Sequence, residues 1–331
     1  MSKTQVARPP QLIALAFDNC GQTDFWRASR QFAQEMKAIK IKVDFTYFLS
    51  GVYFLSERTK QLYHGPRKPD GSSEIGFATN DADLLERLNQ IQSALNEGHE
   101  IGSHAVGHFD GSSWSAADWE YEFSTYLSLL KNVFKNNQLD PRQVGQPFKL
   151  LPSDITGFRT PYLAVSAGTA KSLSAFHFRY DTSLIESSDY WPKKINVTPE
   201  VSKGYWNFPL AILTLAGTNQ KTISMDYNFY MAQSNAEDDL GHAPFYEQQM
   251  VDTYMQYFLT NYHGNRAPLQ IGHHFSQMNG GAYWRAMKRF AREVCSKPEV
   301  KCVTYSRLAD FMDKLSPETL AAYQAGKFKR F

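Results

Sequence analysis

Two histidines four residues apart, His104 and His108, are the first sign of chemistry in this sequence. On a helical turn that spacing brings both imidazoles to one side, where they can bind one metal ion. Gly102 and Gly107 let the backbone turn tightly around them. The plain alternative is a pair of loop histidines satisfied by hydrogen bonds, and with nine histidines in the chain such a pair can arise by chance. Asp18 and Asn19 follow a continuous apolar run, residues 12–17. A carboxylate there would stand at the mouth of a barrel or sheet, although Asp and Asn also commonly end strands in turns. Arg159, Pro161 and Tyr162 follow another strand end, and Arg159 can hold a carboxylate through a bidentate pair. Asp181, after Phe178-Arg179-Tyr180, is placed to be that partner. His273 and His274 close a further run from Leu269. Successive strand residues point to opposite faces, so only one of these two can enter a pocket. His64, His177, His242 and His263 show no partner pattern and read as structural or exposed.

These residues need elements to position them, and the pattern supplies an alternation of strand and helix. Strands are expected at 12–17, 43–49, 99–103, 156–159, 178–181, 221–226, 269–274 and 301–304. The clearest helix covers 80–96, with Leu84, Leu85, Leu88, Ile91 and Leu95 as its stripe and Gly98 where a C-cap belongs. Another opens at Ser115, with Trp119, Phe123, Leu127, Leu130 and Phe134 on one face. Residues 51–79 and 186–207 are rich in Gly, Pro, Ser and Asn and read as long loops, which are usually functional or disordered. Serial βα units point to a parallel sheet, open or closed into a barrel, with its site at the C-terminal ends of the strands.

The 331 residues carry 42% hydrophobic side chains and a net charge of +2, enough for a sizeable core and without the long basic stretch of a nucleic-acid footprint. The apolar runs are too short to span a bilayer. Aromatic residues reach 14%; their faces suit sugar rings, though most must be core. The dinucleotide fingerprint, the Walker lysine motif and the Gly-x-Ser-x-Gly elbow are absent, and the second His of a zincin helix would fall on Ser103. Cys295 and Cys302 are spaced for a short bridge, which would imply an oxidising compartment; two buried thiols are the alternative. Asn196-Val197-Thr198 matches a glycan acceptor pattern without further support. The polar start, residues 1–10, shows no export signal.

Taken in order, these pieces resemble the polysaccharide deacetylase family, also called NodB-homology or carbohydrate esterase family 4. Ala16-Phe17-Asp18-Asn19-Cys20 stands where the family has Thr-Phe-Asp-Asp-Gly. Gly98-His99-Glu100-Ile101-Gly102-Ser103-His104-Ala105-Val106-Gly107-His108 matches its His-Ser/Thr-x-x-His motif and the Gly-His-Glu-Ile-Gly before it, with Ala105 in the Ser/Thr slot. Arg159-Thr160-Pro161-Tyr162 matches Arg-x-Pro-Tyr. The fourth motif, an Asp with a downstream Trp, is met loosely by Asp181, Asp189 and Trp191, and Leu-x-His is met as Ile271-Gly272-His273.

The resemblance implies an α/β fold, a deformed (β/α)7 barrel with long loops, in one domain spanning 1–331 with a core of about 11–314. It implies a metal-dependent hydrolase removing N-acetyl groups from N-acetylglucosamine residues of a polysaccharide, peptidoglycan first and chitin second. A divalent metal, Zn2+ by expectation, would be held by Asn19, His104 and His108, with Asp110 as a substitute for Asn19. Asp18 would be the general base, oriented by Arg159, itself balanced by Asp181. His273 would protonate the leaving amine, with His274 the alternative. The backbone N–H of Tyr162 would stabilise the oxyanion and Trp191 would wall the acetyl methyl group. No protein partner is implied. A cell-wall substrate would mean export, with the signal missing from this sequence. Asn19 is the main departure, because an amide oxygen brings no negative charge; it motivates a carbohydrate-binding pseudoenzyme as one alternative. An allantoinase-like hydrolase of cyclic amides is another.

Overall fold

The structure, a computed structural model, describes residues 6–197 and 204–329. Thr198 of the glycan acceptor pattern and residues 1–5 lie outside them. The first strand, β1 (Gln11–Asp18), is buried along its whole length, as an unbroken apolar run covered on both faces requires. Helix α1 (Thr23–Ala38), strand β2 (Phe45–Leu49), helix α2 (Asp81–Glu97) and strand β3 (Glu100–Ser103) follow. The side chain of Asn80 caps α2 by accepting from the Asp83 N–H, and Gly98 ends it at φ 94°, a left-handed turn that glycine takes without steric cost. Helix α3 (Ala116–Lys131) starts from a capping box between Ser115 and Asp118. The chain continues through α4 (Val133–Asn137), β4 (Gly157–Phe158), α5 (Ala167–Ala175) and β5 (Tyr180–Asp181). Five short strands come next: β6 (Ile185–Ser187), β7 (Lys193–Ile195), β8 (Tyr205–Asn207), β9 (Leu210–Thr214) and β10 (Lys221–Ile223). Then come α6 (Asp226–Ser234), α7 (Ala243–His263), β11 (Leu269–His274), α8 (Met278–Val294), β12 (Val300–Cys302), α9 (Tyr305–Asp313) and α10 (Pro317–Gln324).

Among the described residues, the larger sheet has nine strands in the order β11-β1-β2-β3-β4-β5-β8-β7, with β12 also paired to β1. Its pairs are parallel except β7 with β8. The sheet curls into a half-barrel covered by helices, the α/β deformed barrel that the motif order implies. A second sheet of order β10-β9-β6 lies beside it. Residues 186–207 were expected to be loop, but their described part carries most of β6 and all of β7 and β8. Strands of three residues are too short for a period of two to show.

Alternation along β1 sorts the two faces. Ile13, Leu15 and Phe17 pack outward among the helices, in one core with Phe45, Tyr254 and Trp284. Leu12, Ala14 and Ala16 face inward, in a second core with Phe48, Tyr180, Trp206 and Tyr305. Asp18 continues the inward set. A disulfide joins Cys295, at the end of α8, to Cys302 of β12.

Candidate active site

The C-terminal ends of the inward-facing strands gather the polar residues. Asp18, at the end of β1, accepts a 2.9 Å hydrogen bond from Nη1 of Arg159, and the side chains are 2% and 0% exposed. Arg159 follows β4 and is held on every side. Its Nε donates to Thr182 at 2.8 Å, Nη2 donates to the Tyr305 hydroxyl at 3.3 Å, and its plane lies 4.5 Å over the Phe48 ring. Burial pushes the Asp18 carboxyl up, but the Arg159 guanidinium and nearby imidazoles more than offset this and hold it below the ordinary carboxylate value. Asp18 is therefore ionised and held in one orientation.

Asp181 was expected to balance Arg159; it feels the Arg159 charge, which lowers its pKa, but makes no hydrogen bond or ion pair with it among the described residues. It stands beside Tyr180 in β5, and alternation sends Tyr180 inward and Asp181 the other way. Its carboxylate accepts instead from the backbone N–H and hydroxyl of Ser183, and burial pushes it up to about 6. The inward Thr182 takes the Arg159 contact in its place.

His104 and His108 follow β3 with ring centroids 5.1 Å apart. Nδ1–H of His104 donates to the Arg159 carbonyl at 2.8 Å, which leaves the lone pair of its Nε2 free. Burial lowers His104 to about 3 and lowers His108 as well, so both rings are neutral at pH 7, the form that ligates metal. Two further polar atoms are buried without a hydrogen-bond partner: Nδ1 of His108 and Oδ1 of Asn19. Asn19 adopts φ 53°, a left-handed conformation that Asn tolerates better than most residues. Among the described residues, no group of three or more His, Cys, Asp or Glu is placed to hold a metal ion. The orphaned amide oxygen of Asn19 is the kind of atom that could serve as a third ligand beside the two imidazoles. Asp110 is exposed and is occupied by the backbone N–H of Ser112 at 2.8 Å, which takes it away from the pair.

The pocket histidine of β11 is His274, not His273. His274 pairs in register with Asp18, and His273 with the outward Phe17. His273 is 2% exposed, stacks edge-on against Phe17, and has Nε2 3.3 Å from the Tyr254 hydroxyl. Gln270, Gly272 and His274 form the inward set, and the Ile-x-His spacing selects the wrong parity. Nδ1–H of His274 donates to Asp226 at 2.6 Å, and its backbone N–H donates to the other carboxylate oxygen at 2.8 Å. Burial pulls the His274 imidazole down, but the charge and hydrogen bond of Asp226, helped by Asp18, raise it above its ordinary value. Asp226 is buried, yet His274 and His273 hold its carboxyl far below the usual range. Sequence reasoning missed Asp226, the first residue of α6. The available signal was a carboxylate as the last residue of the expected 221–226 strand.

The rim is aromatic. The Tyr162 ring stands 4.9 Å from His108, and its hydroxyl donates to Glu74 at 2.8 Å. Glu74 comes from the long 51–79 loop, whose end is pinned by Glu74 N–H donating to the Gly107 carbonyl at 3.0 Å. On the other side, exposed Tyr227 lies 6.3 Å from His274. Trp191, expected as a pocket wall, is instead buried against Tyr323 of α10, and its Nε1 donates to the Asn265 carbonyl at 3.0 Å. Asn265 precedes the start of β11, so Trp191 packs at the opposite end of the sheet from Asp18.

No family model and no curated protein matches the chain. Solved structures do share its fold. A Mycobacterium smegmatis protein described as a polysaccharide deacetylase superimposes with a TM-score of 0.55 at 15% identity, over 95% of this chain and 97% of its own. The allantoinase PuuE superimposes with a TM-score of 0.53 at 16% identity, over 90% of this chain and 74% of its own.

Proposed function

From a chain that has the deformed-barrel fold of the polysaccharide deacetylases, we propose a metal-dependent amide hydrolase. It removes N-acetyl groups from N-acetylglucosamine units of a polymer, with peptidoglycan the first candidate and chitin the second. The observation that carries this reading is a base and an acid converging on one strand end. Asp18 is held ionised by Arg159, and the proton affinity of His274, its register partner, is raised by Asp226.

His104, His108 and Asn19 would hold a divalent ion, Zn2+ by donor type, which when bound supplies a Lewis acid to the acetyl carbonyl and acidifies water. Asp18 takes a proton from the attacking water. Arg159 keeps the carboxylate turned toward the site and its proton affinity low. The new C–O bond forms on the acetyl carbon, and the backbone N–H of Tyr162 is the candidate donor to the oxyanion. The C–N bond then breaks as His274 gives its proton to the departing nitrogen, leaving acetate and a free amine. Tyr162 and Tyr227 offer ring faces to a sugar on either side. Among the described residues, no helix is long and apolar enough to cross a membrane. Export is the localisation that a cell-wall substrate and the Cys295–Cys302 bridge support.

The neutral Asn19 favours a second reading, a protein that binds the polymer without cleaving it. Incubation with peptidoglycan and with chitin oligomers, reading acetate, separates the two. Release from peptidoglycan that a chelator stops is the expected result. Polymer binding without acetate from either substrate would leave only the binding reading.

A further inference from the structure

The segment between the two site histidines is held in an unfavourable shape. Ala105 has φ 58° and His108 has φ 60°, left-handed values that are unfavourable for residues bearing a side chain and persist only where the surroundings fix them. Gly107 lies so close to its neighbours that a Cβ there would meet the Phe109 and Tyr63 rings at 2.6 Å. The backbone contacts of this segment can be followed one by one. The N–H of His104 donates to the Leu49 carbonyl at 2.7 Å. The carbonyls of Ala105, Val106 and Gly107 accept from Gly51, Val52 and Glu74 at 2.9, 3.2 and 3.0 Å. The N–H groups of Val106 and Gly107, in the middle of the turn, go to a side chain: Oε1 of Glu122, at 2.9 and 3.3 Å.

Glu122 belongs to α3 and is fully buried. A carboxylate inside an aromatic core is costly to desolvate and is kept only with compensating donors. Its donors are those two backbone N–H groups and the Tyr63 hydroxyl, at 3.0 and 3.1 Å to its two oxygens. Tyr63 comes from the long 51–79 loop, so one carboxylate ties that loop, α3 and the histidine turn together. Two N–H groups aimed at a single carboxylate oxygen define the direction of the peptides between His104 and His108, and with it the separation of the two rings.

We propose that Glu122 is a positioning residue for the metal site: its carboxylate holds the 104–108 turn in the one shape that presents both imidazoles to the same ion. This rests on His104 and His108 being the ligands. Glu122 touches neither ring and acts through the backbone between them. Helix α3 therefore serves the site as well as the core, and a change on this buried face alters metal affinity before it alters the acid or the base.

The test is zinc titration of the metal-free full-length protein, alongside cobalt(II) absorption, for the wild type and four variants. Glu122→Gln keeps the shape but turns an amide N–H2 or a single neutral oxygen toward these donors. Its zinc affinity is expected to fall about 10–100-fold, the usual loss when an outer support of a metal ligand is removed. The cobalt spectrum is expected to change with it. Val294→Ala, on the helix after β11 and three strands from β3, lowers stability without touching the turn and is expected to bind as the wild type. Equal affinity for Glu122→Gln and wild type would overturn the proposal, as would an equal loss in Val294→Ala. His104→Ala guards the premise. If it binds zinc like the wild type, or the wild type binds none, the ligand assignment fails and the role of Glu122 falls with it. Should Glu122→Gln not fold, Tyr63→Phe removes one donor to the same carboxylate. A severalfold weaker affinity supports the proposal, and unchanged affinity contradicts it.

Discussion

Asp18 and Arg159 are both buried and each depends on the other for its charge to be tolerated there. Removing one partner strands the other, which costs about 3–5 kcal/mol for buried pairs. Arg159→Met is therefore expected to lower urea-unfolding stability by that amount and to cut acetate release together with it. His274 yields a sharper sign. Its proton affinity is raised by Asp226, so the acid form survives to higher pH than an ordinary imidazole would allow. In Asp226→Asn the raising charge is gone and burial pulls the ring down, so the alkaline limb of kcat/KM should move to lower pH. A limb that stays in place would remove His274 from the role of acid. His273→Ala should move the limb much less than Asp226→Asn, because His273 packs against Phe17 and reaches His274 only through Asp226, 3.6 Å from its Nδ1. At this scale the sequence was partly legible. Asp18, Arg159 and the two site histidines of the 104–108 turn stand at strand ends where spacing alone could find them. Asp181 and His273 were misplaced because side-chain direction depends on strand parity, which shows only once the strands are paired, whereas Trp191 lies between β6 and β7, in no strand, and was placed by motif order alone.

The elements follow their local signals where those signals are redundant. Asn80, Gly98 and Ser115 mark helix ends in the sequence and cap those same helices in the structure. Asn80→Ala, which loses the bond from Asp83 N–H, is expected to cost about 1 kcal/mol, read as a lower urea midpoint with an unchanged slope. Strand β11 was legible to both of its ends, while β6 to β9 were hidden, most of them by lengths too short for a pattern. The 51–79 loop was expected to matter because of its length. Its physical role became visible only through Glu74 on Tyr162 and Tyr63 on Glu122, contacts between residues far apart in the chain.

For the molecule as a whole, the parallel order of β11-β1-β2-β3-β4-β5-β8 sets the site, since it brings the ends of β1, β3, β4 and β11 to one side of the half-barrel. The Cys295–Cys302 bridge closes a short loop at the last strand, on the far side of the sheet from the chemistry. For a loop of this size, reduction is expected to cost about 2–3 kcal/mol of stability. The thermal midpoint should fall under reductant, with acetate release at 25 °C little changed.

The most direct test of the central claim is the rate of acetate release from N-acetylglucosamine oligomers by the zinc-supplied protein and its Asp18→Asn variant, measured side by side. A wild-type rate that falls about 100-fold or more in the variant is the result expected when the general base is lost. Equal rates, or no acetate from the wild type, would contradict the account.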